Sequence, residues 1–281
     1  MYRELYRFGG VTFALESDAP LERSPVCEAF HVPDGVPDHT ICLRFSDALP
    51  TPPADALRRD DVFRWQAGAQ RHLLQWVSAP GDIPHFTYAV THGAHTDVIF
   101  ASAYRTGASV STALEAVGLF DVFAARGMLV LHSAYIVTSA GEAILFSGPS
   151  GIGKSTQAAL WERCAGARVV NGDRALVDVG KKTANGIFYA GTSGISENVT
   201  APVRAIVLLG QGSENRVFVP SPQAAFAGVL SQCAYYEWDA RSAEKMTACA
   251  ARLVSDVPVL RMDCLPDATA VEALHDQLGG I

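Results

Sequence analysis

Gly148-Pro149-Ser150-Gly151-Ile152-Gly153-Lys154-Ser155 satisfies G-x-x-x-x-G-K-[ST] at every fixed position, and Thr156 extends it. Glycines in such a loop let the backbone turn tightly, partly at positive φ, so that successive N–H groups converge on phosphate oxygens with no Cβ in the way. A helix opening at Lys154 directs its positive end at the same anion. Lys154 brings a compact charge to the terminal phosphates, and the Ser155 hydroxyl suits a magnesium ion bridging two of them. Residues 148 to 156 therefore point to a bound nucleoside triphosphate, ATP with Mg2+.

Reacting that nucleotide needs an acidic group near Ser155, either to organise the metal or to accept a proton. Asp173 is the candidate, because it closes the strand-like ARVVNG that follows the expected helix. The residues alone leave a second reading open, since Asn171-Gly172-Asp173 also has the composition of a hairpin turn. His132 lies on an apolar strand ahead of the loop, where a histidine is more often a satisfied structural residue than a catalyst. Other stretches are weaker. Ala190 to Asn198 can be a loop over the site, with Ser196 or Glu197 reaching a substrate, but a surface connection is favoured. Arg174 and Arg204 can neutralise a transferring phosphoryl group or form surface ion pairs. Glu142 sits at the wrong end of its strand to reach phosphate. Tyr235-Tyr236-Glu237-Trp238 reads as aromatics buried against a sheet.

These residues need a strand before the loop and a helix after it, and both are legible. AILF runs into Gly148, and the helical stretch from Lys154 to about Cys164 stops at Gly166. MLVLHSAYIVT and EAILFSG read as neighbouring strands joined at Ser139 to Glu142. Further strands are expected at GIFYAG, VRAIVLLG and VPVLRMDC, and helices at 221–236, 242–254 and 266–278. Upstream, GVTFALES, HTICLRF, HLLQWVS, HFTYAVTH and TDVIFASAY alternate with Pro, Gly and Asp clusters, as in a meandering, mainly antiparallel sheet. Thr112 and Glu115 form a capping box opening a helix over 112–126, which Gly127 ends. The expectation is an α/β protein, α+β overall, with a β-rich domain at 1–108 and a nucleotide-binding domain at 109–281.

With 281 residues, a net charge of -7 and 18% charged residues, the chain is globular in composition and offers no basic field for nucleic acid. Its six cysteines form no C-x-x-C pair and read as reduced thiols. The start, MYRELYRFGG, lacks a signal-peptide pattern, and no apolar run is long enough to span a bilayer. A cytoplasmic protein without a membrane partner is expected.

The segment HSAYIVTSAGEAILFSGPSGIGKSTQAALW, followed by RVVNGD, resembles the catalytic core of HPr kinase/phosphorylase and the related phosphoenolpyruvate carboxykinase-like P-loop fold. The resemblance covers about 130 to 210. It rests on His132 ahead of the loop, on the spelling GPSGIGKS, and on an acid soon after the helix. It implies a P-loop kinase core in which His132 assists proton transfer and Asp173 takes the metal-binding or basic role. Two departures matter: Gly172 stands where HPr kinases have a first aspartate, and Thr156 where they usually have glutamate. Phosphorylation of HPr itself and its reversal are therefore not expected, nor is decarboxylation, because the carboxykinases' Arg, Lys and His set for oxaloacetate and a second metal is not found in the chain. The nearest likeness is to uncharacterised bacterial HPr-kinase-like proteins, some of which sit beside peptide-modifying enzymes. The expected activity is ATP-dependent, Mg2+-assisted transfer of the γ-phosphate to a hydroxyl acceptor: a serine of a protein or peptide, or a small molecule. The alternative is a catalytically weak or inactive ATP-binding regulatory or scaffold module. Relatives associate, so a homo-oligomer is a further expectation. A switch GTPase is set aside because N-K-x-D is missing from the chain.

Overall fold

The computed structural model describes residues 1–48, 50–77 and 85–279. The chain forms two compact units, one of Met1–Asp121 with Tyr236–Ala240 and one of Val122–Tyr235 with Arg241–Ile281. The division thus falls after Asp121 rather than after residue 108, and a short downstream segment returns to the first unit.

The first unit is built on a nine-stranded sheet. Its strands are β1 (Tyr2–Phe8), β2 (Val11–Ser17), β3 (His31–Val32), β4 (His39–Phe45), β5 (Leu57–Arg59), β6 (Val62–Ala67), β7 (Gln70–Val77), β8 (His85–His92) and β9 (His95–Phe100). The order is β3-β1-β2-β4-β9-β8-β7-β6-β5. The hairpins β1–β2 and β5 to β9 are antiparallel as expected, but β4 runs parallel to both β2 and β9. The segment between β2 and β4, which includes helix α1 (Pro25–Glu28) and β3, is long enough for the crossover this requires. In β4, His39, Ile41 and Leu43 are buried while Thr40, Cys42 and Arg44 take the opposite face. The expected helix over 112–126 is two short ones, α2 (Val110–Ala116) and α3 (Leu119–Ala124). Gly118, at φ 67°, breaks it, and the capping box is made by Ser109 and Thr112 instead of Thr112 and Glu115.

Tyr236 and Asp239 carry the returning segment into a buried charge cluster. Arg64 is 3% exposed and pairs with Asp121, lies 2.9 Å from Asp239, and stacks its guanidinium 4.0 Å from the Tyr236 ring centre. The aromatics of this segment are only partly buried and Glu237 is exposed, and the Tyr236 ring packs on an arginine.

In the second unit, β10 (Met128–Val137) is the organising strand. It pairs antiparallel with β11 (Ala143–Ser147), with β12 (Arg168–Asn171) and with β13 (Arg174–Asp178). With β14 (Thr183–Asn185) and β15 (Thr200–Gln211) the order β11-β10-β13-β14-β15 closes on itself through a parallel β15–β11 pairing, which makes a small barrel. Beyond β15 lie β17 (Val259–Cys264), parallel to it, and β16 (Arg216–Phe218). Helices α4 (Lys154–Ala165), α5 (Pro222–Leu230), α6 (Ala240–Asp256) and α7 (Ala268–Gln277) complete the unit. The AILF run is apolar throughout because β11 is buried on both faces. Leu145 joins one core with Tyr135 and Ile206, while Ile144 and Phe146 join the other with Trp161 and Leu274.

Two local expectations do not hold. GIFYAG is not a strand: β14 ends at Asn185, and the chain runs on through buried Ile187 and Phe188 to a 3-10 turn at Gly191–Ser193. The helix expected over 221–236 stops at Leu230, after which Cys233 bridges Leu131 of β10. Among the described residues, no helix is long and apolar enough to cross a membrane.

Candidate functional site

The strand–loop–helix sequence read from the motif is present: β11, the loop from Gly148 to Gly153, then α4. Gly148, Gly151 and Gly153 have φ of 146°, 78° and 112°, values that L side chains rarely adopt, so the motif's glycines are required by the backbone itself. Lys154 folds back over the loop. Its ammonium donates to the carbonyls of Gly148 at 2.8 Å and Pro149 at 3.0 Å, and the residue is only 7% exposed. Burial pulls its pKa below the ordinary lysine value, opposed by the nearby charge of Asp173. Ile152 turns away into the outer apolar cluster, its Cγ2 3.2 Å from where a Cβ on Gly148 would sit. Gly148, Pro149 and Ile152 therefore build the loop from behind, whereas Ser150, Gly151, Gly153, Lys154, Ser155 and Thr156 line an open cleft of about 280 Å³.

The opposite wall of that cleft carries His132, Gly172 and Asp173, with Thr192 and Ser193. Asn171-Gly172-Asp173 is not a hairpin turn. β12 and β13 both run antiparallel to β10, so 168–178 is one extended stretch, bent at Gly172–Asp173 opposite Ser133 and Ala134, with a register shift at Val170 just before the bend. Asn171, fully buried, fixes the bend: its side-chain oxygen accepts from the N–H groups of Asp173 and Arg174, both at 2.9 Å. Its amide donates to the Ile187 carbonyl at 2.8 Å. Ser133 N–H donates to the Asp173 carbonyl at 2.9 Å, which places the Asp173 side chain beside His132 of the same strand pair.

The His132 main chain is held on both sides, its N–H by the Gln232 carbonyl and its carbonyl by the Ser147 hydroxyl, each at 2.9 Å. His132 Nε2 lies 3.5 Å from Asp173 Oδ1, and Arg174 Nε lies 3.2 Å from Asp173 Oδ2. The contact with His132, then the Arg174 charge, hold the Asp173 carboxyl below its usual range despite partial burial. A carboxylate stabilised in this way is a poor proton acceptor at neutral pH and a suitable ligand for a hard cation.

The model of no known protein family matches this chain, and comparison with curated proteins finds no match either.

Some residues singled out in sequence lie elsewhere. Arg204 and Glu142 approach each other at 3.8 Å at the start of β15 and β11, the far ends of those strands from the cleft. Glu197 pairs with Arg168 at 2.6 Å, and the Ser196 hydroxyl donates to the Ile187 carbonyl at 2.6 Å, so both serve the connection. The same connection is nonetheless part of the cleft through Thr192 and Ser193, so the reading of 190–198 as a loop over the site holds for these two residues rather than for Ser196 or Glu197. Its close approach explains Gly172. A Cβ there would lie 2.7 Å from Ser193 Cβ, and a Cβ on Gly191 would lie 2.7 Å from Asp173 Cγ. Small residues facing one another across two loops were the only signal, and one sequence gives no pairing between them.

Proposed function

We propose that the second unit is a magnesium-dependent ATP phosphotransferase whose cleft holds the nucleotide phosphates on residues 148 to 156. The P-loop kinase core of the HPr kinase type is part of this reading. The observation that carries it is the convergence of Lys154 and Ser155 with the Asp173–His132 pair on one open, polar cleft. The residues fit the groups they would hold. Gly151 and Gly153 stand at positive φ with open space where a Cβ would lie, and Lys154 is already desolvated with its ammonium on loop carbonyls. Ser155 and Asp173 are the magnesium ligands, and the ion's chemistry there is to neutralise charge on the phosphates.

Transfer forms a bond between the acceptor oxygen and the γ-phosphorus while the γ-phosphorus–bridging-oxygen bond breaks, and ADP leaves. The hydroxyl proton passes to His132, whose Nε2 faces the Asp173 carboxylate. Lys154 and the loop amides stabilise negative charge on the phosphoryl oxygens without reorganising. The acceptor is a hydroxyl of a peptide, a protein or a small molecule, and a polar cleft open to solvent admits any of these. Incubation of the purified protein with ATP and Mg2+ and a panel of serine peptides and small alcohols should yield ADP and phosphorylated product. Asp173→Asn and His132→Ala should each lower the rate at least about a hundredfold. Absence of both transfer and ADP release would refute the phosphotransferase.

A second reading, an ATP-binding module without catalysis, draws on Gly172. Ser193 fills the space of a side chain at 172, so the paired acids of the resembled kinases have no room here. Tight ATP binding with no turnover, unchanged in rate by Asp173→Asn, would select it.

A further inference from the structure

We propose that the first unit carries a zinc-class transition-metal site on the outer face of its sheet, formed by Cys42, His95 and Asp97, with Glu16 beside Cys42 as its hydrogen-bond partner. The strands enforce the grouping. β2, β4 and β9 are adjacent and parallel, and their register sets Glu16 beside Cys42 and Cys42 beside Asp97. Strands lie about 4.8 Å apart and side chains alternate between faces, so these three form one row. His95, two residues before Asp97 on β9, shares that face.

The donor atoms of Cys42, His95 and Asp97 all lie within 4.8 Å of one another. His95 Nε2 is 3.4 Å from Asp97 Oδ1, and Cys42 Sγ is 3.5 Å from Glu16 Oε2. Tetrahedral zinc with bonds of about 2.0 Å to nitrogen or oxygen and about 2.3 Å to sulfur has ligand–ligand edges of about 3.3–3.6 Å. The His95–Asp97 edge therefore already has the length a zinc ion requires, and the Cys42 sulfur lies within 4.8 Å of both donors. Glu16 is also oriented from outside: Arg3 Nε sits 3.2 Å from Oε1, which leaves Oε2 on the Cys42 side. Arg3 balances the Glu16 carboxylate, so the neighbour of Cys42 adds little net charge to the site. Sulfur and imidazole with carboxylate select zinc, cobalt or a similar ion over magnesium, so this site and the nucleotide cleft favour different metals.

The test is titration of the chelator-treated full-length protein with Zn2+ without nucleotide, using an Asp173→Ala background so that the cleft offers no carboxylate. One equivalent should bind. Co2+ in its place should give intense visible absorption and a thiolate charge-transfer band, as a tetrahedral site containing Cys42 requires. Cys42→Ser, His95→Ala and the conservative Asp97→Asn should each weaken binding at least about tenfold. The Asp97 side chain is 56% exposed, so that variant keeps the fold, and circular dichroism checks the others. Failure of the parent protein to bind zinc, or retention of its affinity by Cys42→Ser or Asp97→Asn, would overturn the proposal. Loss on substituting the exposed Cys164 alone would do the same.

Discussion

Asp173 is held as an anion by His132 and Arg174, and that has a consequence for pH. A carboxylate whose folded pKa is depressed contributes stability that is complete above its unfolded value, about 3.9, and is lost as pH falls through the folded one. Asp173→Asn should therefore cost stability at neutral pH, and the gap from the parent protein should narrow as pH is lowered below about 4, as thermal unfolding at several pH values would measure. An unchanging gap would mean that the contacts with His132 and Arg174 do not favour the anion. At this scale the sequence was most legible where chemistry restricts the residue type. Lys154 and Ser155 were readable because the loop motif admits few substitutes. His132 and Asp173 were legible as a pair only through resemblance, because their 3.5 Å approach depends on the registry of β10 with β13, which no local pattern encodes.

Elements decide where these residues point. β11 and α4 were legible because burial on both faces leaves a continuous apolar run and Gly166 caps the helix at positive φ. The bend at 172–173 and the 3-10 turn at 191–193 were not, because each exists only against the other: Asn171 spans to Ile187, and Gly172 makes room for Ser193. GIFYAG misled for a related reason, its apolar residues being buried without pairing as a strand. The interlock makes a prediction. Gly172→Ala should destabilise the protein by about 1–3 kcal/mol through overpacking, and Ser193→Gly in the same chain should recover much of the loss. Denaturant unfolding of the single and double variants measures this, and additive effects would contradict the interlock.

For the molecule as a whole, a simple division into an N-terminal and a C-terminal domain was legible from the change of hydrophobic period, but the return of Tyr236–Ala240 to the first unit was not. Nothing in YYEWD announces that Tyr236 and Asp239 complete the surroundings of Arg64. Removing one partner of a buried ion pair leaves the other charge uncompensated, so Asp121→Ala should cost about 3–5 kcal/mol in denaturant unfolding, far more than loss of the exposed Arg59–Glu237 pair. Parallel pairing of β4 with both neighbours likewise escaped prediction, since alternation along a strand is the same in either direction. What joins these scales is the proposal that the loop's amides and lysine hold phosphate opposite a carboxylate that would hold its metal. Calorimetric titration of ATP into the protein, with and without Mg2+, tests that most directly. The expected result is Mg2+-dependent binding at one site, weakened at least about tenfold by Lys154→Ala and made insensitive to Mg2+ by Asp173→Asn. Heat no different from buffer dilution, or equal affinity in the Lys154→Ala protein, would contradict it.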